Sequence, residues 1–401
     1  MHKKQIIIVN HGLRIGGIER SLLALLNVID YTLYNVDLFL FIHDGEFMSQ
    51  IPKQVNLLTE IKKYNSLLIS INENFKHKFF DVLAVKLYAS IKAKLFCRKN
   101  NISAANMVYF DYLHKYVAKF LPKINPDKEY HFAISFMNPH YVCATKINCN
   151  KSIAWIHTDY SFFEFDKRSE VSMWSKYNYI ASISNSCTEA FVKQFPELKD
   201  KIILIENILS PDFVREQAEM IDVSNEMPKE KDVINICSAG RFSHAKNFDN
   251  VPFICKKLHE IGCNVKWYLI GHGGDEDLIL SKIKHAGMQN HVIILGKKEN
   301  PYPYMKACDI YVQPSRFEGK AVTVREAQIL CKLVVITDFA TSASQLQDGI
   351  DGIIVPIDNE ACARGIKYLI DNVELQKRLI ENCRNSDFGN EKEIKKIHDL
   401  M

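Results

Sequence analysis

The sequence has no long apolar run, no paired-cysteine motif and no low-complexity tract. A membrane-spanning helix needs about 20 consecutive apolar residues, and no stretch of the chain approaches that length. The N-terminal segment MHKKQIIIVN lacks the extended apolar region and the small-residue cleavage site of a secretory signal peptide. We therefore expect a buried first strand at this end.

The 11 cysteines are odd in number and scattered, and none forms a C-x-x-C pair. Disulfide frameworks and zinc sites both use paired cysteines, so the pattern favours a reducing compartment. We predict a cytoplasmic protein whose cysteines are buried apolar residues or unreactive surface thiols.

The net charge of +4 is unevenly distributed along the chain. Residues 1–210 carry 26 Lys and Arg against 19 Asp and Glu, whereas residues 211–401 carry 25 against 28. Residues 62–99 contain only two acidic residues and nine basic ones, which are Lys62, Lys63, Lys76, Lys78, Lys86, Lys92, Lys94, Arg98 and Lys99. Such a stretch is either attracted to an anionic membrane surface, by up to about 1 kcal/mol per basic residue, or is a solvated helix face. Both interpretations stay open at this point.

A chain of 401 residues exceeds the size at which a single core usually stops growing, so two domains are expected. Short β-branched runs alternate with helical patterns in both halves, which is typical of parallel sheets covered by helices. The predicted strands are QIIIVN, VDLFLFI, HFAISF, SIAWIH, YIASIS and IILIEN, then INICSAG, VKWYLIG, HVIILG, DIYVQP and LVVITD. We predict an α/β fold of two Rossmann-like domains, 1–207 and 208–384, whose sheets face each other across a cleft. The charged C-terminal helix, about 385–401, is expected to join the first domain.

Two glycines, Gly16 and Gly17, lie between the first predicted strand and the first predicted helix. Backbone N–H groups and the helix dipole at such a position can hold a phosphate. A tight turn that requires glycine for steric reasons is the alternative interpretation.

In the second half, Arg241 and Lys246 follow a predicted strand and precede a helix. They are thereby expected at the carboxyl edge of the sheet, where open α/β sheets bind ligands. A planar guanidinium and a compact ammonium both suit a diphosphate. The alternative is a solvated surface pair.

The segment RFEGKAVTVREA places Glu318 on a strand-to-helix turn and Glu326 in the helix that follows. A carboxylate can accept hydrogen bonds from both hydroxyls of a ribose or sugar diol. Gly319 lets the backbone approach a ligand closely, and Lys320 and Ala321 supply helix-start N–H groups. Compensation of the helix dipole is the alternative role for Glu326.

These stretches resemble the retaining glycosyltransferases of family 4, the group 1 glycosyl transferases of GT-B fold. In the second half the resemblance covers AGRFSHAKNF, WYLIGHGGDE, VIILGKKE, DIYVQPSRFEGKAVTVREAQ and DGIDGIIVP, and in the first half GGIER, AWIHTDY, ASISNSC and IENILSPDF. One departure is Lys320-Ala321, where many members have an aromatic and then a small residue. The variant looks closest to bacterial transferases that build capsular or extracellular polysaccharide.

The resemblance implies a role for each candidate residue. Arg241 and Lys246 would hold the donor diphosphate and stabilise its charge as it leaves. Glu326 would bind the nucleotide ribose and Glu318 the hydroxyls of the donor sugar, while Gly16 and Gly17 would close over the phosphates. His157, at the end of SIAWIH, matches the histidine of the first domain beside the donor sugar. From the residues alone, a lone histidine in such an aromatic-rich stretch is more often structural.

The implied activity is retaining hexosyl or N-acetylhexosaminyl transfer, from a nucleotide diphosphate sugar to a lipid-linked or polysaccharide acceptor, without metal or further cofactor. Asp275-Glu276-Asp277 spells the D-x-D motif of metal-dependent transferases, but these residues open a predicted helix, where acidic side chains offset the helix dipole. A UDP-linked donor, a peripheral location on the inner face of the cell membrane and no nucleic-acid partner are expected.

Three other functions are alternatives to this one. A nucleotide-sugar epimerase of GT-B fold would consume a nucleotide sugar without an acceptor. A non-catalytic, membrane-associated partner of another transferase would not need Arg241, Lys246, Glu318 and Glu326 together. A nicotinamide dehydrogenase is disfavoured because no strand–G-x-G-x-x-G–helix unit occurs.

Overall fold

The computed structural model describes residues 3–14, 16–102, 106–157, 160, 164–318 and 321–401. Two compact units divide the chain: the first comprises Met1–Ile208 with Glu391–Met401, and the second comprises Leu209–Asn390. Each unit is a parallel α/β sheet covered by helices, as the buried β-branched runs predict.

The first unit contains a seven-stranded parallel sheet with the order 3-2-1-4-5-6-7. Its strands are β1 (Lys4–Asn10), β2 (Tyr34–Leu40), β3 (Asn56–Leu57), β4 (Tyr130–Ser135), β5 (Cys149–Ile156), β6 (Tyr179–Ser182) and β7 (Ile202–Leu204). Its described helices are α1 (Gly17–Val28), α2 (Lys62–Asn65), α3 (Ile71–Lys76), α4 (Phe80–Asn100), α5 (Asn106–Val117), α6 (Tyr141–Lys146), α7 (Lys167–Trp174), α8 (Asn185–Gln194) and the C-terminal α16 (Glu393–Leu400).

The second unit contains a six-stranded parallel sheet, β8 to β13, with the order 10-9-8-11-12-13. Its strands are β8 (Ile234–Ala239), β9 (Val265–Ile270), β10 (Val292–Gly296), β11 (Ile310–Gln313), β12 (Leu333–Thr337) and β13 (Ile353–Val355). Its described helices are α9 (Pro211–Ala218), α10 (Val251–Glu260), α11 (Glu276–Ala286), α12 (Tyr302–Ala307), α13 (Val322–Ile329), α14 (Asn359–Asp371) and α15 (Val373–Asn385).

Alternate residues of each central strand enter separate cores on the two faces of its sheet. In β1, Ile6 and Ile8 pack on one face while Ile7 and Val9 pack on the other. Both faces are apolar because helices cover both, which explains why the strand reads as a continuous apolar run. The C-terminal helix α16 joins the first unit through the buried Ile397.

All 11 predicted strands are present, and the prediction of two α/β domains with parallel sheets is confirmed. Two short strands, β3 and β13, were not predicted; with two and three residues they offer little periodicity to detect. No helix among the described residues is long and apolar enough to cross a bilayer.

Candidate active site

The candidate site of the second unit lies where the strand order reverses. Strands β8 and β11 are adjacent in the sheet, but the chain leaves β8 towards β9 on one side and β11 towards β12 on the other. The loops after such a pair diverge and leave a crevice at the carboxyl edge of the sheet. Lys246 follows β8 and Glu318 follows β11, so the two side chains come from opposite sides of this point.

Lys246 and Glu318 form an ion pair. The Lys246 ammonium lies 2.5 Å from Oε1 of Glu318, and the two side chains are 19% and 9% exposed. The same carboxylate oxygen accepts hydrogen bonds from Ser315 Oγ at 2.6 Å and from Gln313 Nε2 at 3.3 Å. Glu318 is thus an acceptor held by three donors, and Lys246 is a cation that keeps part of its surface open.

Two further contacts lock the loops that carry this pair. Arg316 makes a bidentate ion pair with Asp249, with both N···O distances at 2.8 Å, and its Nη1 also donates to the carbonyl of His244. Although burial opposes the effect, the hydrogen bonds from Arg316 lower the pKa of Asp249. The buried Asn247, in the left-handed region at φ 60°, donates its side-chain amide to the carbonyl of Pro314 at 2.8 Å. These contacts hold the ion pair in a fixed position.

Glu326 lies in α13, with a side chain that the protein surrounds almost completely. The residue is 4% exposed, and its Oε1 accepts a 2.8 Å hydrogen bond from the hydroxyl of Tyr302. Its Oε2 is buried and has no hydrogen-bond partner among the described residues. A buried carboxylate oxygen without a donor is costly, so this atom is suited to accept a hydroxyl from a ligand.

Arg241 is exposed, and it belongs to a turn that requires close backbone approach. A Cβ on Gly271, whose φ is 142°, would lie 1.9 Å from the carbonyl oxygen of Gly240. A Cβ on Gly273 would lie 2.2 Å from the carbonyl oxygen of Phe242. The glycines of the segment LIGHGG therefore let the loop after β9 pack against the turn that carries Arg241.

The start of α13 is only partly described. Gly319 and Lys320, both predicted to contact the donor, lie outside the described residues. Ala321 is buried and precedes the helix without a side-chain cap, and its N–H donates to Gln345 Oε1 at 2.6 Å. The Ala321 amide is thus engaged within the protein, which leaves the amides that follow it as the helix-start donors for a ligand.

Asp275, Glu276 and Asp277 occupy the N-terminal end of α11, with Asp275 at the cap position. Acidic side chains there offset the positive end of the helix dipole. Among the described residues, no group of three or more His, Cys, Asp or Glu side chains has an arrangement that could hold a metal ion.

The other predicted residues, Gly16, Gly17 and His157, lie in the first unit. Gly16 caps α1 with an extended backbone at φ −166°, and neither it nor Gly17 has a positive φ. A Cβ at Gly17 would meet no atom of the described residues within 4 Å. Steric demand therefore does not explain Gly17, and the open space there is compatible with a ligand.

His157 directly follows β5, and its ring lies 4.6 Å from that of Phe136 between centroids. Burial lowers the pKa of His157 to about 3, so the imidazole is neutral at physiological pH. Its Nε2 is buried and lacks a hydrogen-bond partner within the part of the chain that the structure describes. A neutral ring with one unsatisfied nitrogen can donate to or accept from a sugar hydroxyl.

Four contributing residues received no role from the sequence: Asn247, Asp249, Arg316 and Tyr302. The first three lie within or beside the quoted motifs, so the sequence indicated where they would be but not which residues they would contact. Tyr302 is 24 positions from Glu326 and reaches it only through the packing of α12 beside α13, for which a single sequence has no signal.

Most of the second unit resembles proteins of a known family. Residues 220–386 match the family model described as "Glycosyl transferases group 1". This region covers most of the second unit and includes Arg241, Lys246, Glu318 and Glu326. Most of the second unit thus matches the group 1 glycosyl transferases, in agreement with the resemblance seen in the sequence motifs.

Curated relatives support the same family. The chain is 30% identical over 144 residues to the N-acetylgalactosamine-N,N'-diacetylbacillosaminyl-diphospho-undecaprenol 4-alpha-N-acetylgalactosaminyltransferase of Campylobacter jejuni. This alignment covers 35% of this chain and 39% of that protein. Over 169 residues it is 24% identical to the amylovoran biosynthesis glycosyltransferase AmsD of Erwinia amylovora, or 41% and 47% of the two chains. The chain therefore spans less than half the length of these relatives.

Solved structures match across both units. A glycosyltransferase from Rickettsia africae superimposes with a TM-score of 0.63 at 16% identity, covering 100% of this chain and 98% of the other. The Anabaena protein HepE, solved in complex with UDP and glucose, superimposes with a TM-score of 0.61 at 15% identity. The superposition covers 96% of this chain and 94% of HepE. At these identities the likeness establishes the GT-B fold.

Proposed function

We propose that the chain transfers a hexose or N-acetylhexosamine from a nucleotide diphosphate sugar to a lipid-linked or polysaccharide acceptor in bacterial surface glycan synthesis. One observation carries this proposal. Lys246 follows β8, and Glu318 and Glu326, with its unsatisfied oxygen, follow β11, the two strands between which the strand order reverses in a unit that resembles the group 1 glycosyl transferases. A cation, a sugar-binding carboxylate and a ribose-binding carboxylate are the three groups that such a donor requires.

The donor diphosphate is assigned to Lys246 and Arg241. Lys246 already has an anionic partner in Glu318, so it is held in place before the donor arrives. The exposed Arg241 offers the planar fork that pairs with two phosphate oxygens. Two cations and the helix-start amides after Ala321 stabilise the charge that develops as the diphosphate leaves, which requires no metal ion.

The nucleotide ribose is assigned to Glu326. Tyr302 fixes one carboxylate oxygen, and the other is left to accept a ribose hydroxyl. Glu318 is assigned to the donor sugar because its carboxylate is held beside the cation that binds the phosphates. We favour a UDP-linked donor, which the UDP complex of HepE supports.

Retention of configuration follows from the resemblance to family 4, by attack of the acceptor on the face that the diphosphate leaves. His157 is proposed to bind the donor sugar as a neutral imidazole. The name of the Campylobacter relative specifies a diphospho-undecaprenol acceptor, which supports a lipid-linked acceptor and a peripheral membrane location for this chain.

A panel of nucleotide sugars, read out by the shift of the unfolding transition, tests the donor assignment. A specific ligand at 100 times its Kd should stabilise the protein by about 2.7 kcal/mol. We expect one UDP-sugar to do so in the presence of EDTA, and Lys246→Met to abolish the shift. No shift with any nucleotide sugar, or one that requires a divalent cation, would overturn the proposal. Consumption of the donor without an acceptor would indicate an epimerase instead.

A further inference from the structure

Helix α4 of the first unit presents apolar residues on two opposite faces. Val82, Val85, Ala89 and Ala93 are buried and pack into the core of the unit. On the other side, a row of exposed side chains consists of Phe80, Leu87, Ile91 and Leu95, which we call the α4 stripe. Its last three members are 50–64% exposed and lie four residues apart, on one face of the helix. A helix that is apolar on both sides is typical of one with a second apolar neighbour.

The stripe is not an isolated leucine or two on a polar surface. Phe75, which is exposed on α3, packs edge-on against Phe80 with 5.7 Å between ring centroids. Tyr88 is 47% exposed beside the stripe. The apolar surface therefore extends from α3 along most of the 21 residues of α4, and contiguous exposed apolar surface of this kind marks an interaction site.

Exposed basic residues surround the C-terminal half of the stripe. Lys94 and Arg98, one turn apart, line a shallow pocket of about 500 Å³ together with Leu95 of the stripe. Lys92 and Lys99 are also exposed on this helix. Cations are favoured near a helix C-terminus, and here they are positioned to bind an anion beside the apolar row.

Not all of the nine basic residues in the stretch 62–99 are available to bind a partner. Lys86 is buried, with its ammonium donating to the carbonyl of Ile69, and Lys63 is paired with Asp81 at 2.5 Å. The second acidic residue, Glu73, is engaged in the capping box of α3. Seven of the nine basic residues stay exposed without an ion pair among the described residues: Lys62, Lys76, Lys78, Lys92, Lys94, Arg98 and Lys99.

We propose that the α4 stripe inserts into the headgroup region of an anionic bilayer, with Lys94 and Arg98 binding lipid phosphate. An interfacial helix combines an apolar face with Lys and Arg that reach anionic headgroups, and this face has both. A second copy of the chain is a poorer partner, because a two-fold interface would bring together two faces of the same net positive charge, whereas an anionic bilayer has the opposite charge. The inference rests on the peripheral membrane location proposed above and names the surface responsible, and its test does not require sugar transfer.

Co-sedimentation with vesicles tests the proposal without any donor or acceptor. We expect the full chain to bind phosphatidylcholine vesicles that contain one third phosphatidylglycerol, and pure phosphatidylcholine vesicles at least ten-fold more weakly. Lys94→Gln with Arg98→Gln should weaken binding by roughly 25-fold, the change that corresponds to about 1 kcal/mol for each of two basic residues. Added salt should weaken binding by the wild type more than by this variant.

The apolar part of the proposal has its own variant and a matched control. Leu87→Ser, Ile91→Ser and Leu95→Ser together should reduce binding at least ten-fold, and circular dichroism should stay unchanged because all three side chains are exposed. The control is Leu278→Ser with Leu280→Ser, two exposed leucines of α11 in the second unit. This pair should change binding by less than two-fold.

Depth of insertion can be read from fluorescence, because Trp155, Trp174 and Trp267 are all buried. In Ile91→Trp, brominated lipids should quench the added indole, and in Leu280→Trp they should not. Equal binding by wild type and the α4 variants, or no quenching at position 91, would overturn the proposal. A dimer in sedimentation velocity that the serine substitutions convert to monomer would assign the stripe to self-association and refute the membrane role.

Discussion

Lys246→Met is the substitution whose effect the geometry of the second unit defines most closely. The change keeps the length and apolar stem of the side chain and removes the ammonium that lies 2.5 Å from Glu318. Glu318, 9% exposed, keeps Ser315 and Gln313 as donors but loses its only cation among the described residues. A charged carboxylate would then remain in a largely buried position.

The magnitude follows from the burial of the two partners. A hydrogen bond to a charged group contributes about 1.5–3 kcal/mol, and a buried partner left without it adds to the loss. Because Lys246 is 19% exposed, water offsets part of this, and we expect Lys246→Met to lower the free energy of unfolding by roughly 2 kcal/mol. Lys246→Met combined with Glu318→Gln should cost less than the sum of the single changes by about 1–2 kcal/mol.

Chemical unfolding followed by circular dichroism measures the free energy of unfolding of the wild type, the two single variants and the double variant. Lys256→Met is the control. Lys256 is exposed on α10, and its replacement should change stability by less than about 0.5 kcal/mol. A coupling energy below about 0.5 kcal/mol between positions 246 and 318 would show that the ion pair does not hold the site together.

Three further predictions concern single residues. Glu326→Ala should weaken donor binding, measured by calorimetry, more than Glu318→Ala, because Glu326 is assigned to the ribose; equal Kd values would contradict that assignment. Arg241→Ala should lower kcat by about 100-fold or more with the fold intact, since the residue is exposed, and a fully active variant would exclude it from the site. Glu170→Gln should flatten the pH dependence of stability. Burial, with the neighbouring Asp111, raises the pKa of Glu170 from 4.5 to about 8. As pH rises, the carboxyl therefore loses its proton in the unfolded state before it does so in the folded state. Between pH 4.5 and about 8 the free energy of unfolding falls with rising pH, by at most about 1.4 kcal/mol per pH unit. An unchanged slope in the variant would refute this.

The fold could be predicted from the sequence because buried parallel strands are continuous apolar runs. Ile6, Ile7, Ile8 and Val9 are all within the core, so the first strand was visible without any long-range information. The predicted boundaries, after 207 and near 384, compare with divisions after Ile208 and Asn390. The sequence does not reveal that the chain between Asn385 and Glu391 belongs to the second unit, because that depends on contacts such as that of Asn390 with Leu209.

The charged groups of the candidate site could be located from motifs, but their partners could not. That Lys246 and Glu318 would meet follows only once β8 and β11 are known to be neighbours. The Tyr302–Glu326 and Arg316–Asp249 contacts join residues far apart in the chain. Counting charges in the sequence also overestimated the number of exposed basic residues in the stretch 62–99, because the sequence does not show that Lys86 is buried.

The central claim is that the second unit binds a nucleotide diphosphate sugar and delivers its sugar to an acceptor. Transfer of radiolabelled sugar from the donor that the panel selects, into a lipid extract of bacterial membranes, tests it most directly. We expect labelled lipid with the wild type in EDTA, and at least 100-fold less with Lys246→Met. Equal labelling by the two proteins, or donor loss without labelled lipid or polysaccharide, would contradict the claim.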